Sequence, residues 1–396
     1  MASLIYSIEE PVVLYPYVCS AEGANVRATL DAASGLPQDI GMKRGGLGRV
    51  LVAMSGGVDS SVAAALLHEQ GVELVGVTLH LWNAEPGRQP GRCCAPEDQE
   101  DARKTCDALG IPHYVIDETQ AFRSQVVDPF LQSYTDGTTP VPCVACNQHV
   151  KLTRLLEVAS AFGASHVATG HYVRLAHDAA NEPTVLRGVD RAKDQSYFLF
   201  GVPRATFKRF LFPLGAMNKA QTREAARRLG VPNADKPDSQ SLCFVPDGDI
   251  SGFVTRQAGQ QSAGRIVDEQ GEVIGTHDGI HQFTVGQRRG LGLPGGSAKY
   301  VLKILPEERD IIVGSRGALA SRRLTATRVS WLQPRPNEAF DALVRIRYRH
   351  EPSPARVMPT DTGFTVQFLS DQDAITPGQA AVIYQQETLV AGGYIE

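Results

Sequence analysis

Residues 50–67 carry an order that leaves few folds open: the apolar run Val50-Leu51-Val52-Ala53, then Met54-Ser55-Gly56-Gly57-Val58-Asp59-Ser60-Ser61, then a second apolar run with helical spacing. Strand, glycine turn and helix in that sequence form the repeating unit of parallel sheets. Two adjacent glycines let the backbone turn tightly and approach a ligand, and Asp59, Ser60 and Ser61 are expected to cap the helix. Backbone N–H groups converge at such a turn and the helix dipole favours an anion, so the turn reads as a phosphate cradle for a nucleotide. It lacks the lysine of a Walker A loop.

The alternation continues. Strands are expected at residues 50–54, 72–82, 113–116 and 166–169, with helices at 61–70, 96–109, 119–134 and 146–162 and a loop at 135–145. This predicts an α/β fold with a doubly wound, mostly parallel sheet. Ligands in such sheets bind beyond the carboxyl ends of the strands, where the Ser55 turn and Gly170 both fall. Past Asp247 short alternating runs take over, with strands expected at 311–313, 326–331, 342–348, 364–368 and 381–384. The expected division is a nucleotide-binding catalytic domain over 42–247, a small central domain over 248–317 and a C-terminal β-barrel-like domain over 318–396. Residues 1–41 hold five acidic residues and one arginine without periodicity, unlike a transit or secretory signal, and are expected to be poorly ordered. Met42 is the expected alternative start.

At 396 residues the chain exceeds one core, and 42% apolar with 21% charged residues describes an ordinary globular protein. No apolar run is long enough to span a membrane. Seven cysteines argue against a disulfide framework and for a reduced, cytoplasmic setting. The net charge of −4 conceals two basic stretches, ten Lys or Arg against three acids over 187–228 and twelve against six over 299–356. These fit a polyanion surface or solvated faces equally well.

Cys143-Val144-Ala145-Cys146 falls where the loop should give way to a helix, and a helix N-terminus lowers a thiol pKa. A C-x-x-C pair serves as a redox couple, half a zinc site or part of an iron–sulfur site. Cys243, in Ser239-Gln240-Ser241-Leu242-Cys243-Phe244, is the natural third member. Cys106 is expected in a helix core. Cys19 lies in the extension, and Cys93-Cys94 lie on a Gly- and Pro-bearing loop.

Taken together, several motifs resemble one family. The Ser55 turn matches the S-G-G-x-D-S loop of ATP pyrophosphatases. Pro142-x-x-x-Cys146-Asn147, Thr169-Gly170-His171-Tyr172, Lys193-Asp194-Gln195-Ser196-Tyr197, Cys243-Phe244, residues 283–292, Arg347-Tyr348-Arg349 and Pro377-Gly378-Gln379 follow. Over about nine tenths of the chain this series is similar to the bacterial tRNA-specific 2-thiouridylases, which exchange oxygen for sulfur at position 2 of the wobble uridine. The resemblance implies an adenine nucleotide alpha hydrolase-like domain that binds ATP, with Mg²⁺, at Ala53, Met54, Ser55, Gly56, Gly57, Val58, Asp59, Ser60, Leu79 and Gly170. It implies a persulfide on Cys243, Cys146 as catalytic partner, and a transient Cys146–Cys243 disulfide. It places His171, Lys193, Asp194, Gln195, Arg347, Tyr348 and Gln379 against tRNA; phosphate contacts are expected mainly from the two basic stretches, with Arg288 and Arg289 as candidates. Expected partners are tRNAs of the Lys, Glu and Gln type and a sulfur donor such as a cysteine desulfurase or sulfur relay protein.

One departure stands out. Many members have Asn-Pro-Asp before the catalytic cysteine, whereas this chain has Val141-Pro142-Cys143. A thiol does not replace a carboxylate in acid–base work, with reference pKa values of about 8.5 and 3.9. The alternative is the same product through a [4Fe–4S] cluster on Cys143, Cys146 and Cys243. Other adenylating enzymes, a lysidine-forming ligase or an amide-forming synthetase, would not need the paired cysteines. An inactive nucleotide- or RNA-binding protein on this scaffold would not need the intact loop.

Overall fold

The computed structural model describes residues 47–83, 96–178, 180–238, 242–245, 248–293 and 297–396. The expectations for the extension at 1–41, Cys19 and Cys93-Cys94 fall outside the described residues.

Five parallel strands form the first sheet: β1 (Val50–Ala53), β2 (Leu74–His80), β3 (His113–Asp117), β4 (His166–Ala168) and, beyond an antiparallel hairpin β5 (Val173–His177) and β6 (Pro183–Arg187), the short β7 (Phe210–Leu211). Their order is β3-β2-β1-β4-β7. The chain therefore winds outward from β1 in one direction, then returns to β1's other side with β4. That reversal is the switch point where doubly wound sheets open a crevice. Helices α1 (Val58–Glu69) and α2 (Pro96–Leu109) connect the first three strands. Cys106 on α2 is fully buried and desolvation pushes its thiol up to about 12, so it is a packing residue.

The helix expected at 119–134 is interrupted. α3 (Thr119–Phe122) and α4 (Asp128–Thr135) are joined by a wide turn over Arg123–Val127. Pro129 supplies the reason, since it has no N–H to continue the i→i−4 ladder. The next helix begins earlier than expected, with Pro142 in its first turn. α5 (Pro142–Ala145) runs through a second wide turn, Cys146–Lys151, into α6 (Leu152–Ala161).

After α7 (Lys219–Arg228) and α8 (Ile250–Ala258), a four-stranded sheet forms from β8 (Gly264–Val267), β9 (Val273–His277), β10 (Tyr300–Leu305) and β11 (Asp310–Gly314). Its interior is Ile266, Phe283, Val301, Ile311 and their neighbours. The last six strands are β12 (Ala320–Trp331), β13 (Phe340–Arg345), β14 (Ser353–Thr360), β15 (Gly363–Asp373), β16 (Ala380–Gln385) and β17 (Thr388–Ile395). They pair in the order β12-β15-β14-β13-β16-β17, and β12 pairs again with β17, closing a six-stranded barrel. Alternate residues such as Leu324, Val344, Val357, Phe364, Val366 and Ile383 fill it.

The division into consecutive units is not a division of the core. The β5–β6 hairpin leaves the first sheet and joins the barrel through a Leu186–Thr388 pairing. One apolar cluster holds Val173, Val185, Phe200 and Phe207 together with Leu332, Val382, Tyr384 and Leu389. Between the two lies a buried ionic knot. Asp194, fully buried, accepts from Arg187 at 3.4 Å and Arg345 at 3.3 Å, and from the Gly188 and Ser196 N–H groups. Removing the carboxylate strands two buried guanidinium groups, which costs about 3–5 kcal/mol for a broken buried pair. Asp194→Ala is expected to lower the denaturation midpoint of the whole chain, and an unchanged midpoint in thermal or urea unfolding refutes that account.

Candidate active site

A cleft of about 930 Å³ opens at the carboxyl ends of β1, β2 and β4. Its floor is the turn between β1 and α1. Gly56 has φ +70, and a Cβ there would lie 2.0 Å from the Asp98 carbonyl, so only glycine fits. The turn is braced from within: Ser60 Oγ donates to the Gly57 carbonyl at 3.0 Å and accepts from the Ser55 N–H at 3.2 Å. Thr78 Oγ1 on β2 donates to the Met54 carbonyl at 2.7 Å. The helix begins at Val58 with Gly57 as its N-cap and no side-chain cap. Asp59, Ser60 and Ser61 are therefore first-turn residues, not caps, and the first-turn N–H groups remain available to a ligand.

Asp59 has another task. Its Oδ1 accepts from Tyr172 Oη at 2.9 Å and from Lys219 Nζ at 2.7 Å. Gly170, at the end of β4, passes so close to the turn that a Cβ would lie 2.7 Å from the Asp59 carbonyl carbon and the Ser60 nitrogen. Of the ten residues expected to hold ATP, nine line the cleft: Ala53, Met54, Ser55, Gly57, Val58, Asp59, Ser60, Leu79 and Gly170. Gly56 lies beneath it.

The residues expected to meet tRNA separate into groups. His171, Lys193, Gln195 and Tyr348 line the same cleft. Asp194 does not; its side chain is sealed in the ionic knot and supports its two neighbours from behind. Arg347 donates to the Asp373 carbonyl at 3.1 Å. Gln379 donates to the Thr139 carbonyl at 3.1 Å, while the Thr139 N–H donates to Pro377, so the barrel's Pro377-Gly378-Gln379 turn braces the loop ahead of Pro142. Tyr348 falls beyond β13 rather than within a strand, because buried Arg345 donates to the Tyr348 and His350 carbonyls and curls the chain into a turn. Its ring packs on Phe198 at 4.4 Å.

The basic stretches differ in the same way. All ten cations of 187–228 are engaged inside the protein, among them Arg204 with Asp178, Lys208 with Glu182, Arg228 with Glu69, and Lys193, Lys219 and Arg223 around Asp238. Arg288, Arg289, Lys303, Arg309 and Arg349 are exposed, with no ion pair among the described residues.

Cys146, the first residue after α5 and 5% exposed, and the half-buried Cys243 belong to a single apolar cluster with Phe122, Phe130, Phe244 and Phe253. Cys143 sits at the second position of the helix, half-buried, near enough to Tyr348 to act on its phenol electrostatically. None of the four described cysteines is in a disulfide. Leu79 and Leu81 join the two regions, since both line the cleft and both pack on the cysteine cluster. Among the described residues no three His, Cys, Asp or Glu side chains form a metal-holding group. Cys143, Cys146 and Cys243 are not brought together as such a group in this arrangement.

Reading residues in sequence missed the far wall of the cleft: Asp98, Asp101, Lys151, Asn233, Lys236 and Asp238. Lys236 Nζ reaches Asp98 at 2.5 Å, Asp101 at 2.6 Å and the Gly56 carbonyl at 3.0 Å. No local motif marks these residues; α2 supplies Asp98 and Asp101, the wide turn before α6 supplies Lys151, and the return of the chain after α7 brings Asn233, Lys236 and Asp238.

Three family models match. One described as tRNA methyl transferase HUP domain covers residues 48–247, one described as tRNA methyl transferase PRC-barrel domain covers 251–315, and one described as Aminomethyltransferase beta-barrel domain covers 321–395. The chain is 44% identical over 355 residues to the tRNA-specific 2-thiouridylase MnmA of Geotalea uraniireducens, spanning 88% of this chain and 95% of the relative. The chain belongs to the tRNA-specific 2-thiouridylase family. Identity to the family member of Magnetococcus marinus is 47% over 352 residues, 88% of this chain and 98% of that one. Among solved structures, a 4-thiouridine synthetase–RNA complex with bound ATP aligns at TM-score 0.33 and 17% identity, over 53% of this chain and 50% of the other. NMN synthetase from Francisella tularensis aligns at TM-score 0.32 and 22% identity, over 54% and 78%.

His171 stands at the cleft's edge with Nδ1 2.7 Å from Thr169 Oγ1. Desolvation, then the charge of Lys151, pull its pKa from 6.5 down to about 4. In this thiouridylase it is therefore a neutral hydrogen-bonding group at physiological pH. The unfolded chain takes up this proton first, so His171 lowers folding stability as pH drops from 6.5 towards 4, and above 6.5 it contributes no pH dependence. Proton NMR is expected to give His171 a midpoint near 4; a midpoint at 6 or above refutes its desolvated setting.

Proposed function

We propose that this chain uses ATP to activate the 2-carbonyl oxygen of the wobble uridine in tRNA and replaces it with sulfur. The observation that carries this reading is the shared wall: Leu79 and Leu81 separate a phosphate-cradling cleft from a cluster holding Cys146 and Cys243. A nucleotide site and a pair of thiols set back to back suit a reaction with an adenylation half and a sulfur half. The curated relatives carry the name tRNA-specific 2-thiouridylase, in accord with it.

The chemistry follows from what each part offers. ATP lies with its phosphates on the Ser55–Ser60 turn, whose N–H groups meet the charge that grows on pyrophosphate as it leaves. The uridine oxygen attacks the α-phosphorus and becomes an AMP ester, which makes it a competent leaving group. Mg²⁺ takes few protein ligands; Glu97, Asp98 and Asp101 line the cleft, but Lys236 holds the last two and the three do not form a metal-holding group, so Mg²⁺ would come bound to the ATP phosphates. When bound it offsets phosphate charge. The target base leaves its stack to reach the cleft, and Tyr348 and His171 stand there to receive a planar ring.

In the second half the terminal sulfur of a Cys243 persulfide displaces AMP from carbon 2. Cys146 attacks Cys243 Sγ, leaving the sulfur on the base and a Cys146–Cys243 disulfide in the protein. A two-electron thiol reductant reopens it. Sulfur reaches Cys243 from a cysteine desulfurase or a relay protein, and the tRNAs are of the Lys, Glu and Gln type. The cytoplasm, where thiols stay reduced, suits this cycle; among the described residues no helix is long and apolar enough to cross a membrane.

Three measurements test the reading. In a strain lacking the gene, nucleoside analysis of tRNA is expected to show 2-thiouridine restored by the wild type and by Cys143→Ser, but not by Cys146→Ser or Cys243→Ser. Purified Cys243→Ser should still convert ATP to AMP in the presence of tRNA; restored thiolation with it refutes the persulfide route. Affinity for tRNA should fall steeply with salt, and Arg288→Ala with Arg289→Ala should flatten the log–log slope by about two. A salt-independent affinity removes the polyanion surface.

A further inference from the structure

The trans peptide between Gly56 and Gly57 is the pivot of the phosphate turn. Its carbonyl is held by two donors from one short segment of the cleft's far wall: Asn233 Nδ2 at 2.9 Å and Lys236 Nζ at 3.0 Å. In a trans peptide the C=O and N–H point in opposite directions. Holding the Gly56 oxygen on Asn233 and Lys236 therefore fixes the opposite direction for the Gly57 N–H. The lining agrees: Gly57 borders the cleft and Gly56 does not. The left-handed φ of Gly56 makes this peptide intrinsically free to turn over, so its orientation must be imposed from outside.

The two donors are themselves fixed. Lys236 spans Asp98 and Asp101, both on α2, at 2.5 and 2.6 Å. Their carboxylates raise its pKa against the desolvation that opposes them, which keeps the ammonium charged. Asn233 is 8% exposed, and its Oδ1 has no donor among the described residues. A buried amide with one end unsatisfied carries a desolvation cost. What it gives in return is the single bond to Gly56.

We infer that Asn233 and Lys236 are positioning residues that orient the Gly56–Gly57 peptide so that the turn presents its N–H groups to the phosphates of ATP. The inference rests on the ATP site proposed above. It accounts for the missing Walker lysine: here a lysine from far along the chain acts on the loop's backbone.

The test is binding by the full chain to three probes: MgATP, inorganic pyrophosphate, and adenosine, which lacks phosphate. Asn233→Asp is nearly isosteric but sets a carboxylate against the Gly56 carbonyl. Lys236→Met removes the ammonium and keeps the stem. Each is expected to weaken MgATP and pyrophosphate about tenfold or more while changing adenosine by less than about threefold, and Lys236→Arg is expected to recover most of the loss. The two variants are made separately, so if one fails to fold the other decides. Equal losses for adenosine and MgATP would mean that the cleft has collapsed, and unchanged MgATP affinity would mean that the peptide needs no such support. Either overturns the inference. A wild-type chain that binds neither MgATP nor pyrophosphate overturns the ATP site itself, and is recognised before any variant is made.

Discussion

A fully buried carboxylate ties this molecule together. Asp194 meets Arg187 from the β6 side and Arg345 from the barrel. The same Arg345 guanidinium lies over the Tyr197 and Tyr348 rings, 5.6 and 5.2 Å from their centroids. A buried charge needs full pairing to be tolerated, so the knot permits little variation in how the barrel seats on the sheet. Cleft geometry follows from it. Lys193 and Gln195 flank the knot on the chain, Tyr348 hangs from Arg345 by its carbonyl, and all three form the cleft's rim. The rim of the cleft is thus set by a contact that does not itself line it.

The cations of 187–228 show the same economy on a larger scale. Sequence counts them as a basic stretch, yet each has found an acid or a carbonyl at home. Asp238 alone gathers Lys193, Lys219 and Arg223, and its carboxyl is held below the usual range by its bonds to Lys193 and Lys219 despite partial burial. Charge that is used to assemble the far wall is not charge on offer to a polyanion. What is on offer lies later in the chain, on the central sheet and the barrel.

How much of this the sequence could disclose depended on distance along the chain. The β1–turn–α1 unit, the Gly170 approach and helix α2 were legible because their signals are local: apolar runs, paired glycines, a glycine stop. Cys146 and Cys243 were legible as a pair only through resemblance, since 97 residues separate them and an apolar cluster brings them together. Three things were not legible. Asp59 looks like a helix cap until Tyr172 and Lys219 claim it. Asp194 looks like a surface contact until two arginines bury it. Asn233 and Lys236 carry no motif, because their role is set by where the chain returns in space.

The shared cluster of β5, β6 and the barrel has a consequence in time. The first sheet's apolar side is completed by Ala380, Val382, Tyr384 and Leu389, which leave the ribosome long after β1–β7. The half that would bind nucleotide cannot complete the cluster around Val185 and Phe200 until β16 and β17 have been made. During that interval an incomplete core waits with apolar surface showing, which is the circumstance in which nascent chains aggregate or engage chaperones. Pairings of such sequence separation also close slowly. A catalytic half folded in this order cannot act before the barrel that completes it has been made.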